Sequence, residues 1–437
     1  MVKVVKFGGS SLADAAHFKQ VANIIRSDPA RKYVVASAPG KRFSDDIKVT
    51  DLFYQCYEMV RHHEDIDEFY QKIVDRYNGI IEDLGLNFDI SGELEYVKSA
   101  LQHRSGRDFA ASRGEYLNSL ILAKYLKYDF VDAENVIFFR ENGSFDAERT
   151  NKAMAEELMQ HERAVIPGFY GVMPNGTIKT FSRGGSDVTG SIVARAVEAD
   201  LYENWTDVSG FLMTDPRIVK DPCPIKTITY RELRELSYMG ATVLHEDAIF
   251  PVRYAGIPIN IRNTNEPEAP GTMIVAETSE YDMEKVITGI AGKKGFSVIT
   301  IEKDMMNSEI GFGRKVLEVL EDHEISFEHL PSGVDNMSVV LASSALDGRR
   351  DKILSSLNRA VRADSIAIED KIALIAVVGR GMVKAKGTAA RVFDAISNAD
   401  INIRIIDQGS SEISIIVGIE EHDFDKALMA IYNEFVK

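Results

Sequence analysis

A lysine followed by two glycines, in the segment Lys6–Ser11 (KFGGSS), is the first group of residues that could do chemistry. The run Val2–Phe7 is typical of a strand, and apolar residues recur at helical spacing beyond the glycines. A turn between a strand and a helix can direct several backbone N–H groups at phosphate oxygens, and a lysine there adds positive charge. Because the lysine precedes the glycines, this is not the GxxxxGK[ST] phosphate-binding loop. The glycines alone would favour an ordinary turn with a surface lysine.

A second glycine turn carries an arginine and an aspartate. The segment Phe181–Asp187 (FSRGGSD) precedes an apolar run with helical spacing, and Ser186 or Asp187 could cap that helix. Arg183 has a planar guanidinium that can bind a carboxylate through two hydrogen bonds. One capped helix start is a common structural feature. Two glycine turns in one domain, each beside a cation, instead indicate a site for anionic ligands.

The third segment with chemical potential, Asn204–Arg217 (NWTDVSGFLMTDPR), contains the only tryptophan of the chain. Thr206 and Asp207 would close a strand, and Asp215–Arg217 reads as a turn. Trp205 could stack on an adenine ring, but large aromatic residues at the end of a strand are more often buried. We therefore predict that Trp205 belongs to the core.

Composition limits the classes of function. Of the 437 residues, 45% are hydrophobic, which allows a core and two or three domains. The net charge of −16 argues against nucleic acid as a partner and requires local cations and N–H groups wherever a polyanion binds. Cys56 and Cys223 lack the spacing of a disulfide framework or a zinc site, so no protein-held metal is predicted. Without a secretory leader or a long apolar run, we expect a cytoplasmic protein with no membrane contact.

An α/β domain must position the glycine turns. Helical segments alternate with strand-like runs at Val2–Phe7, Tyr33–Ala38, Val136–Phe139, Ala164–Pro167 and Ile257–Ile261. Residues 41–130 are polar and helical. This alternation predicts a mainly parallel sheet covered by helices. The loop Asn263–Thr272 (NTNEPEAPGT) lies near the end of this domain.

The last third of the chain contains an internal repeat. Residues 311–341 align with 387–417 without a gap, and the apolar pattern agrees throughout. Together with strands at Phe296–Ile301 and Ile372–Val378 and the helices that follow, each copy forms a βαββαβ unit. The segment Gly379–Gly387 (GRGMVKAKG) contains a GxG, but its third glycine is at the wrong spacing for a dinucleotide site. We interpret it as a loop of the second copy.

These segments occur in the order seen in the aspartate kinases of the amino-acid kinase superfamily, which this chain resembles over nearly its whole length. The shared segments are KFGGSS, SRGE (Ser112–Glu115), SRGGSD, WTDVSGFLMTDPR, GATVLH (Gly240–His245) and PEAPGT (Pro267–Thr272). The repeat resembles the paired ACT domains of that family, and no homoserine dehydrogenase domain follows it, as in the monofunctional members. The resemblance implies an amino-acid-kinase-like α/β catalytic domain over 1–280. Two interleaved ACT-like, ferredoxin-like regulatory units would follow, over 281–366 and 367–437.

The resemblance also implies roles for individual residues. Catalysis would involve Lys6, which would hold the transferring phosphoryl group, and Asp187, which would orient Lys6. The substrate would be bound by Thr50, Glu115, Arg183, Gly184 and Ser186, with Glu115 on its α-amino group. ATP would contact Lys6, Gly8, Gly9, Thr206, Asp207 and Arg217. An amino-acid effector would contact Met306, Ser308, Gly311, Ser326, Phe327 and Glu328.

The implied reaction moves the γ-phosphoryl group of ATP, with Mg²⁺, to the side-chain carboxylate of L-aspartate. The product would be 4-phospho-L-aspartate, in the first step of lysine, threonine and methionine biosynthesis. A carboxylate is ionised at neutral pH, so catalysis would rest on positioning and charge neutralisation rather than on a general base. The ACT units imply feedback by lysine, threonine or both, and a homodimer or homotetramer. Glu328 favours lysine, because it could pair with a side-chain ammonium.

The chain departs from the family pattern at two positions. Leu212 replaces a tyrosine found in many members, and Thr242 replaces a lysine; both positions are commonly nucleotide contacts. The region Lys41–Val49 is also lengthened before Thr50. One alternative is therefore a catalytically silent amino-acid sensor. Another is a different amino-acid kinase, acting on acetylglutamate, glutamate, carbamate or UMP, although those enzymes lack the combination of WTDV…TDPR and paired ACT domains.

Overall fold

The computed structural model describes residues 1–103, 105–182, 184–241, 246–276 and 285–436. The chain forms two compact units. The first comprises Met1–Phe211, Pro224–Arg231 and Thr242–Thr278, and the second comprises Leu212–Cys223, Glu232–Ala241 and Ser279–Lys437. Within the described ranges, no helix combines the length and apolar character needed to cross a membrane.

The described part of the first unit contains ten strands and most of the helices. The strands are β1 (Lys3–Phe7), β2 (Arg31–Ala36), β3 (Asp129–Phe130), β4 (Ala164–Pro167), β5 (Tyr170–Val172), β6 (Ile178–Thr180), β7 (Leu201–Thr206), β8 (Thr227–Thr229), β9 (Ile259–Asn263) and β10 (Thr272–Val275). The helices are α1 (Ala15–Arg26), α2 (Val49–Arg61), α3 (Asp67–Leu84), α4 (Ser91–Gln102), α5 (Arg107–Leu126), α6 (Ala133–Val136), α7 (Ala147–Leu158), α8 (Gly185–Ala196), α9 (Tyr230–Tyr238), which continues into the second unit, and α10 (Glu246–Ala255).

Eight of these strands form one sheet in the order β3-β4-β2-β1-β7-β9-β10-β8. All neighbours are parallel except β9 and β10. The central strands are buried over nearly their whole length, as expected when helices cover both faces of a parallel sheet. The mainly parallel sheet predicted from the sequence is confirmed. The carboxyl ends of β1, β2, β4, β7 and β9 consequently lie at one edge.

The strand predicted at Val136–Phe139 is wrong. Helix α6 ends at Val136, and only isolated bridges join Phe138 to Val172 and Phe139 to Phe145. Asp132 caps the helix by accepting a hydrogen bond from the N–H of Glu134. A short apolar run does not distinguish a strand from buried irregular structure, and this run is buried without joining a ladder.

Trp205 is a core residue, as predicted. It is 1% exposed and stacks on Phe7 at a centroid distance of 6.0 Å. Its Nε1–H donates to Glu203 Oε2 at 2.9 Å, and Arg31 Nε donates to the same carboxylate at 2.8 Å. The ring and the N–H group of the indole therefore both have partners in the core.

The second unit contains a five-stranded antiparallel sheet in the order β12-β11-β13-β15-β14. Its elements are β11 (Gly289–Glu302), α11 (Phe312–Asp322), β12 (Asn336–Ala342), α12 (Arg350–Val361), β13 (Ser365–Val378), α13 (Thr388–Asn398), β14 (Ile403–Asp407), β15 (Ser414–Glu420) and α14 (Phe424–Val436).

The predicted repeat is visible in this sheet. Helices α11 and α13 occupy equivalent repeat positions, and each is preceded by a glycine with φ of 83°, Gly311 and Gly387. The two copies exchange a strand. The first part of β11, Gly289–Lys293, pairs with Leu374–Val378 of the second copy. The later part of β11 pairs with β12 of the first copy on one side and with the start of β13, Ser365–Ile372, on the other. The segment Gly379–Gly387 is the loop between β13 and α13, as interpreted from the sequence.

Candidate active site

Lys6 lies near the carboxyl end of β1, on the face of the sheet next to α8. Its neighbours Val5 and Phe7 point to the other face and join the apolar core formed with the first helices. Lys6 is only 8% exposed, and its Nζ lies 2.5 Å from Asp187 Oδ1 in the first turn of α8. A buried ammonium requires such a partner. The structure thus brings the lysine of the first glycine turn into contact with the aspartate of the second.

The start of α8 differs in detail from the prediction. Gly184 is the N-cap and has φ of 56°, a left-handed conformation that suits glycine. No described side chain caps the helix, so the predicted cap by Ser186 or Asp187 is wrong. Both residues instead occupy the first turn, where the partial positive charge of the helix end stabilises the Asp187 carboxylate. Arg183 lies outside the described residues.

The first glycine turn packs against the loop after β2. Gly9 O accepts a hydrogen bond from Gly40 N–H at 2.8 Å. A Cβ on Gly9 would lie 2.8 Å from Ala38 O, and one on Gly40 would lie 2.6 Å from the carbonyl carbon of Gly9. Gly8 N–H donates to Trp205 O at 3.1 Å and so extends the ladder between β1 and β7. Gly8 lies beside the Lys6 ammonium, because a Cβ there would lie 3.6 Å from Lys6 Nζ, in ordinary van der Waals contact.

Glu115, in the middle of α5, is a buried carboxyl group at the same edge. It is 6% exposed, and its Oε2 has no hydrogen-bond partner among the described residues. Burial raises the pKa of Glu115 to about 8, although a hydrogen bond from the backbone of Ala38 acts in the opposite direction. Thr50 lies against the preceding residue of α5, since a Cβ on Gly114 would lie 3.7 Å from Thr50 Oγ1. A buried acceptor without a donor indicates a place where a ligand N–H can bind.

The residues predicted to contact the nucleotide separate into two groups. Thr206 ends β7 at the edge that carries Lys6, and its hydroxyl donates to Asp207 Oδ1 at 3.2 Å. Arg217 belongs to the second unit, where its guanidinium pairs with Asp215 at 2.6 Å in the predicted turn. Leu212 also belongs to the second unit. Thr242 lies outside the described residues.

A network around Arg76 holds the lengthened segment before Thr50, and sequence reasoning missed it. Arg76 donates to the carbonyl oxygens of Ala13 at 3.1 Å and Gly40 at 3.3 Å, and to Asp46 Oδ2 at 2.5 Å. Hydrogen bonds from Arg42, and the charge of Arg76, hold the pKa of Asp46 well below its usual range. Nothing in the pattern of α3 singles out this arginine. Asn204, also missed, was detectable as a polar residue within an apolar strand.

The predicted effector residues lie in two loops of the second unit. Met306 and Ser308 form a 3₁₀ turn after β11, and Gly311 precedes α11. The neighbouring Asn307 N–H donates to Val334 O, just before β12 begins.

The remaining three effector residues, Ser326, Phe327 and Glu328, follow α11. Glu328 N–H donates to Val340 O at 2.7 Å, near the other end of β12. The two loops therefore contact β12 near its opposite ends.

Two family comparisons agree with this architecture. The model of the amino acid kinase family matches residues 1–263, and the model of the ACT domain matches residues 375–435. The chain belongs to the amino acid kinase family.

Individual relatives narrow the assignment. Aspartokinase 3 of Bacillus subtilis is 40% identical over 99% of this chain and 98% of the relative. The crystal structure of Clostridium acetobutylicum aspartate kinase superposes with a TM-score of 0.94 at 55% identity, covering 99% of this chain and 100% of that one. E. coli aspartokinase III, solved with aspartate and ADP, shares the fold with a TM-score of 0.75 at 24% identity over the whole of both chains. Within its family, the protein is thus an aspartate kinase, which confirms the resemblance seen in the sequence.

One prediction concerns the free energy of unfolding. The pKa of Glu115 is about 8 in the folded protein, against an ordinary value near 4.5, so the folded state binds the extra proton between these values. The stabilising effect of that proton is complete at low pH and is lost as the pH rises towards 8. The stability of the wild type relative to Glu115→Gln should therefore fall with rising pH, with a slope of at most about 1.4 kcal/mol per pH unit. Urea unfolding of both proteins across this range measures it, and parallel curves would contradict it.

Proposed function

We propose that the protein transfers the γ-phosphoryl group of ATP to the side-chain carboxylate of L-aspartate and forms 4-phospho-L-aspartate. The observation that carries the proposal is the contact of 2.5 Å between Lys6 and Asp187, which places a buried cation where two glycine turns meet. E. coli aspartokinase III has been solved in complex with aspartate and ADP, which supports the same ligands here. The reaction would be the first, cytoplasmic step of lysine, threonine and methionine biosynthesis.

Electrostatic repulsion is the main obstacle to this reaction, because both reactants are anions. Lys6 would exchange its contact with Asp187 for the phosphoryl oxygens and so neutralise charge along the line of transfer. Gly8 would place no side chain against the moving ammonium, and the turn at Gly9 would let the phosphates approach the backbone. The acceptor carboxylate is already ionised, so no general base is required.

Magnesium fits this site as a companion of ATP rather than as a resident ion. Among the described residues, no group of three or more His, Cys, Asp or Glu side chains could hold a metal. Mg²⁺ commonly keeps phosphate and water ligands and uses few protein groups. Bound with ATP, it would supply further positive charge near the transferred group.

The remaining predicted residues divide between the two substrates. Glu115 would receive the α-ammonium group of aspartate, with Thr50 beside it. The turn with Arg183, Gly184 and Ser186 would receive the carboxylates. Thr206, Asp207 and Arg217 would contact the nucleotide.

The charge state of Glu115 makes aspartate binding detectable through proton release. At pH 7 the free carboxyl group, with its pKa of about 8, is largely protonated. A bound ammonium favours the carboxylate, so binding should release up to about one proton per site near pH 7 and almost none at higher pH, where the group is already ionised. Calorimetric titration in buffers of different ionisation enthalpy measures the release. Glu115→Gln should abolish it, and a binding heat independent of the buffer would contradict the assignment.

Removal of the Lys6 ammonium tests the reaction itself. Lys6→Ala should lower kcat by about 100-fold or more, because the ammonium would act on charge in the transition state. Hydroxylamine trapping of the acyl phosphate, with ATP and a panel of amino acids, measures turnover and acceptor choice together. Lys32→Ala, on the neighbouring strand β2, is the matched control and should leave the rate unchanged. Absence of hydroxamate from the wild type would support a silent amino-acid sensor, and a different acceptor would indicate another amino-acid kinase.

Feedback by lysine, threonine or both would act through the C-terminal repeat. We divide the chain into a catalytic domain over 1–280 and regulatory units over 281–366 and 367–437. The two effector loops contact opposite ends of β12, so a site that uses both would need a second copy of the chain, in a homodimer or homotetramer. E. coli aspartokinase III has been solved with lysine and aspartate in a T-state, which supports lysine as an effector.

The repeat supplies a matched control for the effector site. Glu328 and Arg404 occupy equivalent positions in the two copies. Glu328→Gln should weaken inhibition by lysine about tenfold or more, through loss of one charge-assisted contact, and Arg404→Gln should not. Initial rates at increasing lysine and threonine give the inhibition constants. Equal effects of the two substitutions would contradict the assignment to the first copy, and no response to either amino acid would contradict feedback altogether.

A further inference from the structure

Asn204 is a buried amide that contacts both Lys6 and Asp187. It lies on β7, directly opposite Lys6 in the parallel pairing with β1, and is 4% exposed. Its Oδ1 lies 3.5 Å from Lys6 Nζ, and its Nδ2 donates to Asp187 Oδ1 at 2.9 Å. The three side chains form one closed set of polar contacts on the face of the sheet next to α8.

The chemistry of the two neighbours determines the orientation of the amide. An ammonium only donates hydrogen bonds and a carboxylate only accepts them, so the amide oxygen must face Lys6 and the amide nitrogen must face Asp187. An ionised carboxylate in place of the amide would satisfy Lys6 but repel Asp187. A leucine of similar size would satisfy neither. Asparagine is therefore matched to this pair.

We propose that Asn204 is a positioning residue for the phosphoryl transfer, an inference that rests on the function proposed above. When the Lys6 ammonium turns towards the phosphoryl oxygens, the Asp187 carboxylate loses its ion pair. The amide of Asn204 keeps one charge-assisted hydrogen bond to that carboxylate and holds it in place. Lys6 can then move between the carboxylate and the phosphoryl group without a rearrangement of the start of α8.

A contact made by Tyr202 allows the role of Asn204 to be distinguished from simple structural support of helix α8. Tyr202, two residues earlier on the same face of β7, donates its hydroxyl to the backbone carbonyl of Asp187 at 3.2 Å. This bond fixes the helix backbone but not the carboxylate. Loss of the Asn204 amide should consequently change catalysis, whereas loss of the Tyr202 hydroxyl should change only stability.

Two substitutions test the amide directly. Asn204→Leu keeps the size of the side chain but removes both contacts, and it should lower kcat about 10- to 100-fold while KM for aspartate changes less than about twofold. Asn204→Asp should lower kcat similarly at about pH 8.5, where an ionised carboxylate replaces the amide. Turnover is measured by hydroxamate trapping, and thermal unfolding checks that each variant is folded.

Acidification should partly restore kcat in the Asn204→Asp variant but not in Asn204→Leu. A carboxyl group in contact with a carboxylate loses its proton less readily, so the introduced carboxyl group should be protonated at about pH 5.5. A protonated carboxyl group accepts through C=O and donates through O–H, as the amide does. Within the described residues, the charged groups that contact the Asn204 amide are Lys6 on β1 and Asp187 on α8, and its partner on β9 is the apolar Ile261. The ratio of kcat in Asn204→Asp to kcat in Asn204→Leu should rise at least about tenfold between about pH 8.5 and about pH 5.5.

Tyr202→Phe is the matched control on the same strand. It should lower the thermal midpoint but keep kcat within about twofold of the wild type. A similar kcat loss in Tyr202→Phe and both Asn204 variants, or a ratio that does not change with pH, would overturn the positioning role. If the wild type itself formed no hydroxamate, the proposed function would fail instead, so the two failures are distinguishable.

Discussion

The buried ammonium of Lys6 depends on the carboxylate of Asp187, and most of the first unit serves to bring these two groups together. The chain carries a net charge of −16, which repels anions. Anions can therefore bind only where local cations and N–H groups outweigh that repulsion. Strand β1 supplies the cation and the first turn of α8 supplies its partner, and the packing of α8 against the sheet brings the two charged groups to 2.5 Å. A parallel sheet suits this task because its strand ends converge at one edge.

Close backbone approach is the second constraint at that edge. The loops after β1 and β2 contact each other through Gly9 and Gly40, and the loop after β4 contacts α8 at Gly168, where a Cβ would lie 2.6 Å from Ser186 Oγ. Gly114 brings α5 equally close to Ala38. Side chains at these positions would push these segments apart. The glycines therefore set how closely the segments around the site approach one another.

The sequence predicted the sheet, the repeat and the two glycine turns because each leaves a local pattern. It also predicted correctly that Trp205 is buried, from the general behaviour of aromatic residues at strand ends. The prediction of a strand at Val136–Phe139 was wrong because a buried irregular segment and a paired strand produce the same run of apolar residues. The contacts of Arg76 and Asn204 were not predicted, since they depend on which distant segments meet. Asn204 could have been noticed as a polar residue in a buried strand, whereas nothing in the sequence of helix α3 distinguishes Arg76 from a surface arginine.

The exchanged strand Gly289–Lys293 has a consequence for the order in which the chain acquires structure. This segment is synthesised before the rest of the first repeat copy but pairs with residues 374–378 of the second. The segments Leu212–Cys223 and Glu232–Ala241 likewise join the second unit from much earlier in the chain. Pairings between such distant residues form slowly, because a long loop must close first. The C-terminal sheet can therefore be completed only when the last strands leave the ribosome, and until then the early segments need protection from aggregation.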